Sequence, residues 1–288
     1  MSMDVLQEKI RKMKCPIVLD LTVQPQQIPE DFHREDPVTE MADFCAAMLA
    51  GLKTTVPGVR FCFDQFALLG GDGLQALSGL LRDAKSMGYY VLLDGPAVTT
   101  PWAAKRAAML LTDDSAYPCD GLIIDGYIGT DAIRPFQDAC KNGKTLFVTV
   151  RTPNRSAAEL QDLMIGTRLV HGVAADMVNR VGQPIQGKCG YSQMGLVTSA
   201  TNANAVSGLR SKYKNLFLLV DGLDYPGGNG KNASLGFDRF GHGCALSVGP
   251  AIYGAWSLEQ SDSSQAVQQA QRAAERIRNN MSRYISIL

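Results

Sequence analysis

The stretch YYVLLDGPAVTTPWAAKRAAM, residues 89 to 109, contains one complete strand-to-helix unit. Its first part, Tyr89 to Asp94, is an apolar run that predicts a buried strand ending at Asp94. The following helix is predicted to begin with Thr100 as a hydroxyl N-cap and Pro101 at the first helical position. Between strand and helix, none of the five residues after Asp94 has a side chain that titrates near neutral pH. A strand end is therefore well placed for chemistry but carries almost none.

The same alternation of apolar run and amphipathic helix extends along the chain. The predicted strands are 16–22, 58–66, 89–94, 119–127, 144–152, 194–200, 215–222 and 244–249. Pro37 is predicted near one helix start, and Gly88 at the C-cap of another helix. Near-continuous apolar strands suit a parallel sheet that is buried on both faces. Eight strands alternating with helices predict a closed (β/α)8 TIM barrel, and this number favours it over an open doubly wound sheet.

Length and composition predict a single TIM-barrel domain over 1–288, with an N-terminal helix at 1–15 and a C-terminal helix at 257–288. The formal net charge is zero, which gives no support for nucleic acid or an anionic membrane as a partner. Seven cysteines without a CxxC pair favour a reducing cytoplasm over a zinc site or a disulfide framework. No apolar run approaches the roughly 20 residues that span a bilayer. We therefore expect a cytoplasmic protein without a membrane partner.

The predicted strand ends are rich in carboxylates, and in a TIM barrel these ends form the active-site mouth. The residues at these ends are Asp20, Asp64, Asp94, Asp125, Arg151, Thr152, Asp221 and Ser247. Each Asp could simply cap the loop or helix that follows it. Five clustered carboxylates nevertheless repel one another unless a cation or a proton intervenes. Arg60 and Arg151 are the cations expected to counter them.

Six segments, taken in chain order, resemble segments of the orotidine 5′-phosphate decarboxylases, specifically the longer bacterial branch of that family. They are VLDLT (18–22), VPGVRFCFDQFALLG (56–70), DGYIGTDAIRPF (125–136), RTPNRSAAELQDLM (151–164), GKCGYSQMGLVTSAT (187–201) and LVDGLDYPGG (219–228). Each is weak alone, but their shared order covers nearly the whole chain. The resemblance implies a lyase of pyrimidine biosynthesis, a TIM barrel without a cofactor, and a dimer whose mouths lie at the interface.

The resemblance also implies that the catalytic motif is degenerate. The family carries Asp-x-Lys-x-x-Asp at the end of the third strand, where the Lys donates a proton to the carbon that loses carbon dioxide. Here the three positions are Asp94, Pro96 and Thr99, so Asp94 is the only surviving catalytic candidate. Proline cannot replace the lysine, because general acid catalysis needs a titratable group.

Positions that bind the nucleotide in the family are altered as well. Asp20 matches the family's ribose-contacting Asp, and Arg60 stands where the family has Lys. By the same resemblance, Pro153 replaces a Ser that reads the pyrimidine, and Pro226 and Pro250 replace a Gln and an Arg that bind phosphate. A proline offers none of the charge-assisted bonds that an Arg makes to phosphate. Where the family generally has uncharged residues, this chain has Asp125, Asp221 and Asp224.

A glycine-rich loop follows the seventh predicted strand, where barrels often bind phosphate through backbone N–H groups. The alternative is a flexible loop whose glycines are needed for positive φ angles. The histidines show no metal-ligand spacing, so no metal site is expected. The ligand-binding candidates are Asp20, Arg60, Asp125, Arg151, Thr152, Asp221, Gly222, Gly227 and Gly228.

Three functions remain open from the sequence. The first is a non-catalytic pseudoenzyme, a binding or scaffolding subunit that takes a small-molecule ligand and dimerises with itself or with an active paralogue. The second is an enzyme for a cationic or metal-bound substrate at the Asp-rich mouth. The third is a true orotidine 5′-phosphate decarboxylase, which needs another lysine, such as Lys105, to reach Asp94; helix geometry places Lys105 several ångströms away.

Overall fold

The computed structural model describes residues 2–258 and 263–288. Within these ranges, eight parallel strands close into a barrel in the spatial order β1-β8-β7-β6-β5-β4-β3-β2. The strands are β1 Ile17–Asp20, β2 Gly58–Cys62, β3 Tyr90–Asp94, β4 Gly121–Asp125, β5 Thr145–Thr149, β6 Met194–Ser199, β7 Leu218–Asp221 and β8 Cys244–Val248. The predicted (β/α)8 barrel is confirmed.

The helices are α1 Ser2–Met13, α2 Pro37–Leu52, α3 Phe63–Ala67, α4 Gly70–Ser86, α5 Pro101–Ala107, α6 Thr130–Ile133, α7 Gln137–Lys141, α8 Val170–Gly182, α9 Ala203–Lys212, α10 Gly230–Ser234, α11 Pro250–Tyr253, α12 Ala255–Leu258 and α13 Ala266–Met281. Short 3-10 turns lie at Pro25–Gln27, Glu30–Phe32, Ala108–Leu111, Arg134–Phe136, Arg155–Glu159 and Ser263–Gln265. The Thr100 hydroxyl caps α5 by accepting from the Ala103 N–H at 3.1 Å. Gly88 follows α4 with φ of +87°, a conformation that a side chain disfavours.

All eight strands are shorter than the predicted ranges, and in two of them the difference moves candidate site residues out of the strand. β2 ends at Cys62, and the next five residues form α3, so Asp64 lies in the first turn of a helix. β5 ends at Thr149, which leaves Arg151 and Thr152 in the loop beyond it. An apolar run alone does not distinguish a strand from a short buried helix, which explains the first difference. The loop after β5 also contains an unpredicted hairpin, Met164–Ile165 with Arg168–Leu169.

The barrel interior is apolar in its middle and polar at its mouth. Val18, Leu92, Phe147 and Leu219 are buried together inside the barrel. Gly195 makes room for the Phe147 ring, because a Cβ at Gly195 would lie 2.7 Å from it. Alternate residues of a strand face the same way, so the residues two positions after these interior residues also face inward, at the level of the mouth. This upper layer consists of Asp20, Arg60, Asp94, Asp125, Thr149, Ser199, Asp221 and Ser247.

Helix α1 closes the opposite end, the base of the barrel. Met3, Leu6 and Ile10 have no exposed surface and pack in the same cluster as the barrel interior. The Gln193 side chain accepts the Met3 N–H at 2.9 Å, which fixes the first turn of the helix. Neither 2–258 nor 263–288 contains a helix with the length and hydropathy of a membrane span.

Candidate functional site

The centre of the mouth is the Arg60 guanidinium, which bridges carboxylates from three other strands. Its Nη1 lies 3.0 Å from Asp20 Oδ2 and 3.1 Å from Asp221 Oδ2. Its Nη2 donates to Asp94 Oδ2. The Ser247 hydroxyl accepts from Nη1 at 3.1 Å and lies 3.3 Å from Asp20 Oδ2. Strand register brings these groups together, since Asp20 pairs directly with Arg60 across β1 and β2.

The charges of this network are strongly coupled. Burial disfavours the charged form of Arg60, but Asp20, Asp94 and Asp221 outweigh it and hold the pKa of Arg60 well above its ordinary value. Burial raises the pKa of Asp221, and Arg60 only partly offsets this. A guanidinium does not lose its proton in proteins. Arg60 can therefore orient and stabilise anions, but it cannot deliver a proton.

Two cavities open at this end of the barrel, on either side of Asp94. The first, which we call the acidic cavity, has a volume of about 460 Å³. It is lined by Asp20, Thr22, Gln24, Gln27, Arg60, Asp94, Asp221, Asp224, Tyr225 and Pro250. Four carboxylates face one guanidinium here, so the lining carries three more negative than positive side chains. Its volume lies in the lower part of the range of small-molecule sites.

The second, which we call the side cavity, has a volume of about 330 Å³. It is lined by Asp64, Asp94, Gly95, Pro96, Ala97, Val98, Thr99, Ile124, Asp125, Tyr127, Ile128, Thr149, Thr152 and Gln161. Three of these residues are carboxylates, and none is Lys, Arg or His. Pro96 is half-buried and Thr99 is exposed, so the residues after Asp94 form a wall of this cavity.

Arg151 does not join the mouth network. Its Nε and Nη2 donate to the two oxygens of Asp162 at 2.9 and 3.0 Å, and its Nη1 donates to the Thr152 carbonyl. Buried His171 and Asn202 also contact Asp162, at 3.3 Å each. The expectation that Arg151 counters the mouth carboxylates is therefore wrong: its guanidinium pairs with Asp162 and anchors the loop after β5.

The glycine-rich loop after β7 uses its own N–H groups. The Gly222 N–H donates to Asp221 Oδ1 at 2.7 Å, and the Gly228 N–H donates to the Tyr225 carbonyl at 2.9 Å. Gly222 and Gly227 have φ of +84° and +91°, as the flexible-loop interpretation expects. Asp224 reaches out of this loop to the chain after β8, where it accepts from the N–H groups of Gly249 and Ala251.

Comparison with known proteins agrees with the order of motifs in the sequence. No protein-family model matches the chain. A protein of Caldicellulosiruptor saccharolyticus named orotidine 5′-phosphate decarboxylase is 27% identical over 244 residues, which cover 78% of this chain and 80% of the relative. A protein of the same name from Clostridium kluyveri is 26% identical over 290 residues, 98% of this chain and 97% of the relative.

The chain is thus similar over most of its length to proteins named orotidine 5′-phosphate decarboxylase. Solved structures agree with this in fold. The Leishmania donovani OMP decarboxylase superposes with a TM-score of 0.71 at 21% identity, covering 96% of this chain and 99% of that chain. The Plasmodium berghei orotidine 5′-monophosphate decarboxylase gives a TM-score of 0.76 at 14% identity, with 97% and 99% covered.

Pro96, which the resemblance aligns with the family's lysine, lines the side cavity together with Asp94. Lys105 lines a groove on the helix layer with Met109, Asp138 and Lys144, and it lines neither mouth cavity. Among the residues that line these two cavities, Arg60 is the one cation. No group of three or more His, Cys, Asp or Glu within the described chain could hold a metal ion.

Several mouth residues were not singled out from the sequence. Gln24, Gln27 and Tyr225 line the acidic cavity, and Thr149 and Gln161 line the side cavity. Gln161 lies in the run that resembles the family's Leu-Gln-Asp-Leu segment, so that resemblance was a usable signal. Tyr225 lies in LVDGLDYPGG, another segment that carries the resemblance, whereas Gln24, Gln27 and Thr149 lie in no such segment and are brought to the mouth only by the folded chain.

Proposed function

We propose that this chain is an orotidine 5′-phosphate decarboxylase-family barrel that does not decarboxylate orotidine 5′-phosphate and acts as a binding or scaffolding subunit. The observation that carries the proposal is the environment of Asp94. Its cationic partner is the permanently charged guanidinium of Arg60, and Pro96 follows two residues later. Neither group can protonate a carbanion, which the family reaction requires.

The electrostatics of the acidic cavity support the same conclusion. Orotidine 5′-phosphate carries a phosphate and a carboxylate, and the cavity lining has three carboxylates in excess of its one guanidinium. Each contact between like charges at about 4 Å costs about 4 kcal/mol at the effective dielectric near a protein surface. Arg60 offsets this only in part for a ligand, because its Nη1 and Nη2 already bind three Asp side chains.

A second candidate function, binding or turnover of an organic cation, is favoured by the side cavity. Its lining combines Asp64, Asp94 and Asp125 with an apolar wall that includes Ile124, and it contains no basic side chain. This composition complements an ammonium group on a short apolar body. Since no described cluster of residues could hold a metal ion, the organic cation is the better-supported form of this candidate.

One experiment separates these possibilities. The purified full chain is assayed for loss of orotidine 5′-phosphate beside an active decarboxylase as positive control, and it is titrated calorimetrically with uridine monophosphate, n-butylamine and n-butanol. We expect no turnover above the blank and no binding of uridine monophosphate. Appreciable turnover would overturn the proposal.

The amine arm has its own matched controls. Binding of n-butylammonium without binding of the isosteric n-butanol, weakened in D125N but not in D72N, would support the second candidate. Asp72 is an exposed carboxylate in the first turn of α4, outside both cavities, so its change removes the same charge elsewhere. Equal binding of amine and alcohol would remove the case for a cationic ligand.

A further inference from the structure

The carboxylate of Asp224 is bound by two backbone amides of a distant segment. Its Oδ2 accepts the Gly249 N–H at 2.9 Å, and its Oδ1 accepts the Ala251 N–H at 2.7 Å. Asp224 lies in the loop after β7, whereas the two amides belong to the residues directly after β8. Both carboxylate oxygens are thus held by N–H groups, as the oxygens of a bound anion would be.

This contact joins the loop after β7 to the residues after β8. In TIM barrels, the loops after the seventh and eighth strands frequently form the phosphate site, and they use backbone N–H groups to do so. Here a side chain of the protein itself occupies that position as the anion. Other donors nearby are used or absent: Gly222 and Gly228 donate within their own loop, and Pro250 has no N–H.

A purely structural cap is the alternative explanation, and the surroundings of Asp224 argue against it. Helix α11 has only four residues, so a cap gains little helix. Burial raises the pKa of Asp224, and the neighbouring carboxylates Asp221 and Asp20 raise it further, while the Gly249 and Ala251 N–H groups lower it only in part. An acid in this place is therefore retained at an electrostatic cost, which a neutral cap such as Ser or Asn would avoid.

We propose that Asp224 acts as an internal anion that holds the amides of Gly249 and Ala251 and so excludes phosphorylated ligands from the barrel mouth. This inference rests on the proposed function, because a family member that turned over a nucleotide would need an open phosphate position. It adds the ligand class to that function: the molecule that occupies the acidic cavity is unphosphorylated. A phosphate could enter only by displacing Asp224, and it would then face Asp221 and Asp20.

The test asks whether removing Asp224 opens the mouth to phosphate. D224A and the wild-type protein are titrated with inorganic phosphate and with uridine monophosphate, and D125A serves as the comparator. Asp125 is also a mouth carboxylate, but within the described part of the chain it accepts from the Tyr127 N–H and not from the amides after β8. D125A therefore reports the loss of one negative charge without the release of the two N–H groups.

We expect D224A to bind phosphate at least about tenfold more tightly than the wild type, because two N–H donors become available. The gain in D125A should not exceed about twofold, since exposed charges are screened by salt. Equal gains in phosphate affinity in D224A and D125A would mean that only the loss of one negative charge matters, and this would overturn the inference. No gain in a folded D224A would overturn it as well.

Two measurements keep the result decisive. Circular dichroism and thermal unfolding report whether D224A is folded; if it is not, D224N with D125N as its comparator replaces the pair, since the amide keeps one acceptor for the two N–H groups. Turnover of orotidine 5′-phosphate is measured on the same wild-type sample. Turnover would contradict the proposed function, whereas the phosphate titrations test the role of Asp224 alone.

Discussion

The two ends of the barrel follow different rules. At the base, buried hydroxyl groups pair with one another: the Tyr90 hydroxyl lies 2.6 Å from the Thr145 hydroxyl, and it accepts from the Ser2 hydroxyl at 3.0 Å. At the mouth, one guanidinium serves three carboxylates, and its own Nε is buried without a partner among the described residues. The buried polar groups named at the base are neutral, even though the Gln7 and Gln193 amide nitrogens lack a partner among the described residues, whereas the mouth is built from unbalanced charge.

This difference is what the proposed function requires, namely a family fold that is kept without the family reaction. In TIM barrels, the base and the interior determine stability, and the strand ends and loops determine function. The apolar interior and the buried face of α1 are intact here. The positions that the resemblance marks as altered, among them Pro96, Thr99 and Pro250, all lie beyond strand ends. Substitutions at these positions can remove a reaction without removing the barrel.

The largest effect is expected for Arg60, where the mouth contributes to the stability of the fold. R60M leaves Asp20, Asp94 and Asp221 without their shared cation, and removing one partner of a buried ion pair typically costs about 3–5 kcal/mol. R60K keeps the charge but loses the forked donors, so its free energy of unfolding should lie between those of R60M and the wild type. Urea unfolding measures these changes.

Arg34 provides the matched control for that measurement. Its guanidinium pairs with Asp43 at 3.2 Å, but both side chains are about two-fifths exposed. R34M should therefore cost no more than about 1 kcal/mol. If R60M proved as harmless as R34M, the mouth charges would not be coupled to the fold, and the contrast between the two ends would be one of chemistry alone.

The next effect concerns the base. Leu6 is fully buried in the barrel cluster, and Val5 on the neighbouring face of α1 is 45% exposed. L6A should lower the unfolding free energy by about 2–5 kcal/mol through lost burial and a residual cavity, while V5A should change it by no more than about 0.5 kcal/mol. Because the base lies away from the mouth, the folded fraction of L6A should bind mouth ligands as the wild type does. A changed affinity would show that the two ends are coupled.

The fold could be predicted well because short sequence patterns determine its strands and helix ends. Apolar runs located all eight barrel strands, and Thr100 and Gly88 marked helix ends by backbone chemistry that acts within a few residues. The amphipathic N-terminal segment predicted a helix, but not that its apolar face closes the base. That role depends on contacts between α1 and β3, some 80 residues apart in sequence, which no local pattern contains.

The site could be predicted only in part, for the same reason. Their positions at the ends of predicted strands placed Asp20, Asp94 and Asp221 at one mouth, and the structure brings all three to Arg60. The partner of Arg151 was not predictable, because Asp162 returns to it through a ten-residue loop with its own hairpin neighbour. Nor did the sequence indicate that Asp224 binds the amides after β8. Charge partners across loops are a property of tertiary structure.

The smallest expected effect is a pH dependence of stability that comes from the mouth. Burial raises the pKa values of Asp221 and Asp224, so the folded protein holds these two protons more tightly than the unfolded chain does. Their contribution to stability is therefore complete below the ordinary Asp pKa of about 3.9 and is lost as the pH rises through the raised values.

In D224N, position 224 no longer ionises, so the loss of stability with rising pH remains only at Asp221. The difference in melting temperature, variant minus wild type, should therefore increase between about pH 4 and pH 7, where Asp carboxyls with raised pKa values lose their protons. A change of 1 kcal/mol corresponds to about 2–4 °C in a domain of roughly this size, so thermal scans can resolve it. D72N, on the exposed surface of α4, controls for the loss of one negative charge. A difference in melting temperature that stays flat or decreases over this range would mean that the fold does not disfavour the charged form of Asp224. The mouth would then be electrostatically as relaxed as the base.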